Sequence, residues 1–137
     1  MTGIAAAWRR MKHRYNLYGS KCENCKGVYF PPRIICPGCR RKGKMADEKL
    51  SGKGKVITFS VVHAPPEGYS LEIPYVLAII ELVEGPKLTT QIVDVNPGKM
   101  TIGMPVEAAF RKLVEQDSRG LIHYGYKFRP VKPSTRE

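Results

Sequence analysis

A chain of 137 residues has the size of one domain, or of a small module fused to a compact one, and 42% apolar residues are enough to build a core. No run approaches the ~20 consecutive apolar residues of a membrane helix. The first residues do not follow the charged, apolar, cleavage-site order of a secretory signal, so a soluble cytoplasmic protein is the expectation. The net charge of +11 sits wholly in residues 1–55, which hold 14 Lys/Arg against 3 Asp/Glu, while residues 56–137 balance 9 against 9. That asymmetry points to one module facing an anion, whether nucleic acid, a phosphorylated cofactor or an acidic protein face, with plain surface solvation as the alternative.

In chain order, the first predicted element is a helix over residues 1–18. Ile4, Trp8, Met11, Tyr15 and Tyr18 are spaced 4, 3, 4 and 3 apart, which places them on one face. Arg9, Arg10, Lys12, His13 and Arg14 lie mostly on the others, and Gly19 is the expected stop. The aromatic stripe must be buried, either on its own domain or on a partner protein. Residues 19–45 are rich in loop residues, Lys/Arg and cysteine. From about Lys55 the texture becomes that of strands: Lys55–His63, Pro74–Val83, Lys87–Val95, Pro105–Val114 and Leu121–Arg129, separated by Pro, Gly and polar breaks. Five short strands in residues 46–130 suit a small closed barrel, of which the OB-fold is the common form. An SH3-like barrel shares the same pattern. Residues 131–137 read as a polar tail.

The four cysteines form two pairs, Cys22-x-x-Cys25 and Cys36-x-x-Cys39, with ten residues between them. Two thiolates on one tight turn can face one ion, and two such turns close a tetrahedral site. Gly27 and Pro37-Gly38 are turn-forming residues suited to such knuckles. Disulfides do not suit a cytoplasmic chain. A redox motif needs a single pair near a βαβ unit. The expectation is therefore a structural Zn2+ site on Cys22, Cys25, Cys36 and Cys39, with iron as the chemical alternative. Such a closed site folds its module and has no open position for catalysis.

The run Gly19, Cys22, Cys25, Val28, Phe30, Pro31-Pro32-Arg33, Cys36-Pro37, Cys39 resembles the rubredoxin-like zinc ribbon of the acyl-CoA-associated zinc-ribbon/OB-fold proteins. Later landmarks are similar too: Gly52-x-Gly54, Pro65-Pro66-x-Gly68-Tyr69, Pro74-Tyr75, Glu84-Gly85, Val93-Asp94, Ile102-Gly103-Met104-Pro105-Val106, and the closing Tyr126 to Pro130. The resemblance covers nearly the whole chain. It implies a mainly β protein with an N-terminal helix, a zinc ribbon and a five-stranded OB-fold barrel. It also implies a role beside thiolases and related condensing enzymes. For an archaeal member the resemblance implies a scaffold that holds acetoacetyl-CoA thiolase to hydroxymethylglutaryl-CoA synthase at the start of the mevalonate route to isoprenoids. Other members serve steroid side-chain degradation or polyketide-like enzymes.

Three functions compete on these residues. Independent catalysis is not expected, because the cysteines are committed to metal and His13, His63 and His123 fall in no recognised catalytic motif. Nucleic-acid binding draws on the basic ribbon and the barrel. Yet Pro74–Val95 offers only Tyr75 for stacking, and its charges, Glu81, Glu84, Lys87 and Asp94, are mostly acidic. A scaffold for acyl-CoA enzymes explains more. In that reading Arg33, Arg40 and Arg41 are candidates for the phosphates of CoA. Tyr69 and Tyr75 are candidates for lining a pantetheine channel, with ordinary packing or solvation as the competing role of each.

Overall fold

A computed structural model describes residues 4–64, 66, 72–115 and 120–131. Their contacts gather into two units. The first takes the described residues up to Gly52, with Glu84–Pro86 and those of 110–126; the second takes those of 53–83, 87–109 and 127 onward.

In the first unit, helix α1 runs over Ile4–Asn16. Its Ala-rich start and the absence of interior Gly or Pro favour a helix, and His13 and Arg14 complement the negative end of its dipole. It ends before the expected Gly19. Leu17 takes a left-handed φ of 51°, which an L-residue with a Cβ adopts at a cost. Burial of its side chain and a hydrogen bond from the Leu50 amide to its carbonyl (3.1 Å) hold it there. Gly19 instead serves strand β1 (Tyr18–Cys22), where a Cβ would stand 2.6 Å from the Tyr29 carbonyl oxygen. Tyr18 thus lies in β1 rather than on the helix. With β2 (Val28–Tyr29) and β3 (Met45–Lys49), β1 forms an antiparallel sheet of order β2-β1-β3.

Part of the α1 stripe packs within its own unit and part stays exposed. Tyr15 meets the Phe110 ring edge-on at 5.1 Å, and Phe110 stacks on Tyr124 at 5.4 Å. Ile4 and Trp8 stay 76% and 73% exposed. On the flank, Lys12 pairs with Asp47 and lies over the Tyr18 ring.

Strands β4 (Lys53–Val62), β5 (Tyr75–Leu82), β6 (Lys87–Ile92), β7 (Pro105–Glu115) and β8 (Ile122–Pro130) match the five expected from the sequence. They close a barrel in the order β4-β5-β6-β8-β7. The pairs β4–β5, β5–β6 and β4–β7 are antiparallel, and β6–β8 is parallel at Ile92–Phe128. This is the five-stranded Greek-key barrel of the OB-fold. In β5 the apolar run resolves into a period of two: Val76, Ala78, Ile80 and Leu82 are buried, while Leu77 and Ile79 face out. Val56, Val106 and Phe128 complete the most deeply buried layer. A register shift between Val56 and Thr58 marks a bulge that increases the local coiling of β4.

A polar cluster also belongs to the second unit. Lys127, 5% exposed, reaches Glu72 at 3.0 Å, and Gln91 donates to the same carboxylate at 2.8 Å.

Candidate metal centre

The two cysteine pairs lie on two knuckles of the same design. In the first, the Lys26 amide returns to the Cys22 carbonyl at 2.9 Å; in the second, the Arg40 amide returns to the Cys36 carbonyl at 2.8 Å. In each, the residue after the second cysteine takes the left-handed conformation, with φ of 61° at Lys26 and 51° at Arg40. The turn residues expected from sequence, Gly27 and Pro37-Gly38, therefore do not carry the left-handed step. Gly27 contributes its carbonyl, which accepts from the Cys22 amide at 2.9 Å.

The four sulfurs of Cys22, Cys25, Cys36 and Cys39 all lie within 4.8 Å of one another. A tetrahedron of sulfurs ~2.3 Å from a central ion has edges of about 3.8 Å, so the set is arranged for one tetrahedral metal. The donors are all sulfur, which suits a soft or borderline ion. Cys22 and Cys36 are fully buried and Cys25 is exposed.

Hydrogen bonds to sulfur support the thiolates. The Cys39 amide donates to Cys36 Sγ at 3.5 Å, the Tyr29 hydroxyl lies 3.7 Å from the same sulfur, and the Asn24 side-chain amide donates to Cys39 Sγ at 3.3 Å. The Cys39 amide, with the Tyr29 hydroxyl, pulls the Cys36 thiol down to about 6 against the opposing effect of burial. At Cys25 the Gly27 amide favours the thiolate, but Cys36, Cys22 and Cys39 together outweigh it and push the thiol up to about 11.

Gly43 is a part of the site that cysteine spacing does not reveal. A Cβ there would come within 2.8 Å of Cys36 Cβ, 2.9 Å of Cys39 Cβ and 3.1 Å of Cys22 Sγ. Only a glycine lets the chain pass so near three ligands. Gly43→Ala is expected to weaken metal binding by at least about tenfold, the range in which supporting residues act. Competition with a chromophoric chelator reads it directly, and an unchanged affinity would refute the crowding argument.

The other candidate residues are dispersed. Arg33, Arg40 and Arg41 are exposed residues of the ribbon; the Arg33 guanidinium lies 5.6 Å above the Tyr29 ring. Tyr75 opens β5 in the second unit and is half-buried. Tyr69 lies outside the described residues. His13 Nδ1 lies 3.0 Å from the Tyr18 carbonyl oxygen, His63 is exposed after β4, and His123 is buried on β8. Among the described residues, no helix is long and apolar enough to cross a membrane.

Comparison with known proteins agrees with this architecture. Residues 12–45 match the ChsH2 rubredoxin-like zinc ribbon domain, and residues 47–111 match the ChsH2 C-terminal OB-fold domain. A DUF35 domain-containing scaffold protein of Methanocaldococcus jannaschii is 54% identical over 94% of this chain and 92% of its own. One of the same description from Methanothermobacter thermautotrophicus is 50% identical over 95% of this chain and 98% of its own. Among solved structures, a chain of the Ltp2-ChsH2(DUF35) aldolase matches with a TM-score of 0.67 and 35% identity, covering 93% of this chain and 90% of that one.

Proposed function

The chain belongs to the DUF35 scaffold-protein family, built from the ChsH2-type zinc ribbon and OB-fold domains, and on that premise we propose that it is a non-catalytic scaffold subunit. Its partners in this reading are acetoacetyl-CoA thiolase and hydroxymethylglutaryl-CoA synthase. It links the two in the cytoplasm and helps the acyl-CoA intermediate pass between them, at the start of the mevalonate route to isoprenoids. The observation that carries the reading is likeness over more than nine tenths of both chains to proteins described as scaffolds.

The chemistry of the ribbon is consistent with that role. Four thiolates fill a tetrahedral ion and leave no open position for substrate, so the metal, which we propose is Zn2+, holds shape. Arg33, Arg40 and Arg41 offer guanidinium forks to the phosphates of a CoA pocket that the enzymes complete. In this reading Tyr69 and Tyr75 contact the pantetheine arm.

The test is reconstitution. The metal-loaded chain, mixed with the thiolase and synthase of its own source, is expected to give one complex on size-exclusion chromatography. In that complex, labelled acetoacetyl-CoA made by the thiolase should resist dilution by unlabelled acetoacetyl-CoA in bulk. Failure of the three to associate at low salt would overturn the reading, and preferential capture of RNA would replace it with a nucleic-acid function.

A further inference from the structure

Between the two knuckles the chain exposes two consecutive isoleucines, Ile34 at 93% and Ile35 at 62%. Single exposed aliphatics are ordinary on a soluble surface. These two are adjacent, and they are held. Pro31 and Pro32 restrict the backbone before them. The Arg33 amide is tied to the buried Ser20 hydroxyl at 2.9 Å, and Cys36, immediately after, is fully buried among the sulfurs. An apolar tip fixed at both ends loses little conformational freedom when covered.

Basic residues lie near it along the chain, Arg33 immediately before it and Arg40 and Arg41 after Cys36. The Arg40 amide bonds the Cys36 carbonyl at 2.8 Å, and the Cys25 and Cys36 sulfurs are 3.5 Å apart, which brings the first knuckle, with Lys26, beside the second. Lys26 and Arg40 occupy the two left-handed positions, where glycine would be less strained. Both knuckles thus carry a cation where the backbone favours a residue with no side chain. The neighbouring acid, Glu23, pairs with Lys44 at 3.6 Å.

We infer that Ile34 and Ile35 are the apolar anchor with which the ribbon docks on a partner enzyme, the partner supplying an apolar socket with an acidic rim. The inference rests on the scaffold reading and adds to it the surface and the chemistry of the contact. The occupant is a protein rather than a lipid surface, because two aliphatic side chains fall short of the apolar area that holds an interfacial segment in a bilayer. The cations steer the encounter and the isoleucines set the lifetime of the complex.

The experiment measures binding of the metal-loaded chain to immobilised thiolase and, separately, to immobilised synthase. Ile34→Ser/Ile35→Ser should weaken binding to at least one enzyme on the order of 30-fold, mainly through faster dissociation, with metal content and melting unchanged. Arg40→Gly should slow association and flatten its salt dependence while melting at the same or a higher temperature. A merely structural role for Arg40 does not produce that combination. Wild-type affinity of the double-serine chain for both enzymes would overturn the inference and leave the scaffold reading intact. No binding by the wild-type chain would overturn both. If the wild-type chain instead sediments with phosphatidylserine vesicles, and the double-serine chain loses that while keeping its enzyme affinity, the tip is a lipid anchor and the inference is wrong.

Discussion

Chelation of the metal is expected to melt the β2-β1-β3 sheet and its two knuckles while the barrel strands β4, β5 and β6 stay folded. Beside its cysteines, the fully described ribbon buries few apolar side chains; Leu17 and Leu50 are the largest. At about 2 kcal/mol each, they fall an order of magnitude short of the entropy of ordering the segment. A structural zinc site supplies on the order of 10 kcal/mol. Hydrogen exchange on the full-length chain, before and after chelation, should show protection lost over Tyr18–Cys22, Val28–Tyr29 and Met45–Lys49 and kept in β5. Exchange that is unchanged in the ribbon, or an assay finding no metal in the native protein, would refute it. Acid should act in the same direction, since protons compete with the ion for sulfur.

The second large effect lies in the barrel. Glu72→Ala is expected to cost about 3 kcal/mol, because it strands the Lys127 ammonium, whose side chain is 6% exposed. Lys127→Met, which removes the buried charge and keeps the length, should cost under about 1 kcal/mol, since the carboxylate left behind is 38% exposed and retains the Gln91 amide. The asymmetry is the prediction. Thermal melts of the two metal-loaded variants should differ by several degrees, with Glu72→Ala the lower. Equal losses would mean that the pair is no more than a surface contact.

What was legible in the sequence was whatever local chemistry dictates. The ligand set could be read from the spacing of Cys22, Cys25, Cys36 and Cys39, because a metal imposes that spacing. The five barrel strands could be read from their apolar, strand-forming runs and from the Gly, Pro and polar breaks between them. What was not legible depends on residues far apart in the chain. The end of α1 at Asn16 is set by burial of Leu17 and by the amide of Leu50, so the nearer Gly19 misled. The knuckles place Lys26 and Arg40, rather than a glycine, in the left-handed step, because the amide bonds back to Cys22 and Cys36 determine the turn whatever the side chain. Gly43 is needed only because three cysteines surround it in space. The Glu72–Lys127 pair joins positions 55 apart, and the stacking of Tyr15, Phe110 and Tyr124 likewise joins the helix to strands β7 and β8.

That last contact bears on how the protein is born. The unit containing the ribbon also takes in Glu84–Pro86 and residues of the stretch 110–126. Its sulfur ligands leave the ribosome before Phe110 and Tyr124, which stack in the same unit as Tyr15. The ribbon can therefore load its ion first, but the aromatic seat of the helix is assembled only once Phe110 and Tyr124 have been made. Until then Tyr15, Trp8 and Ile4 have the same uncovered face, so a nascent or truncated chain should be the form most prone to capture by chaperones. A cut after the barrel's third strand would leave the helix unseated even with the metal in place.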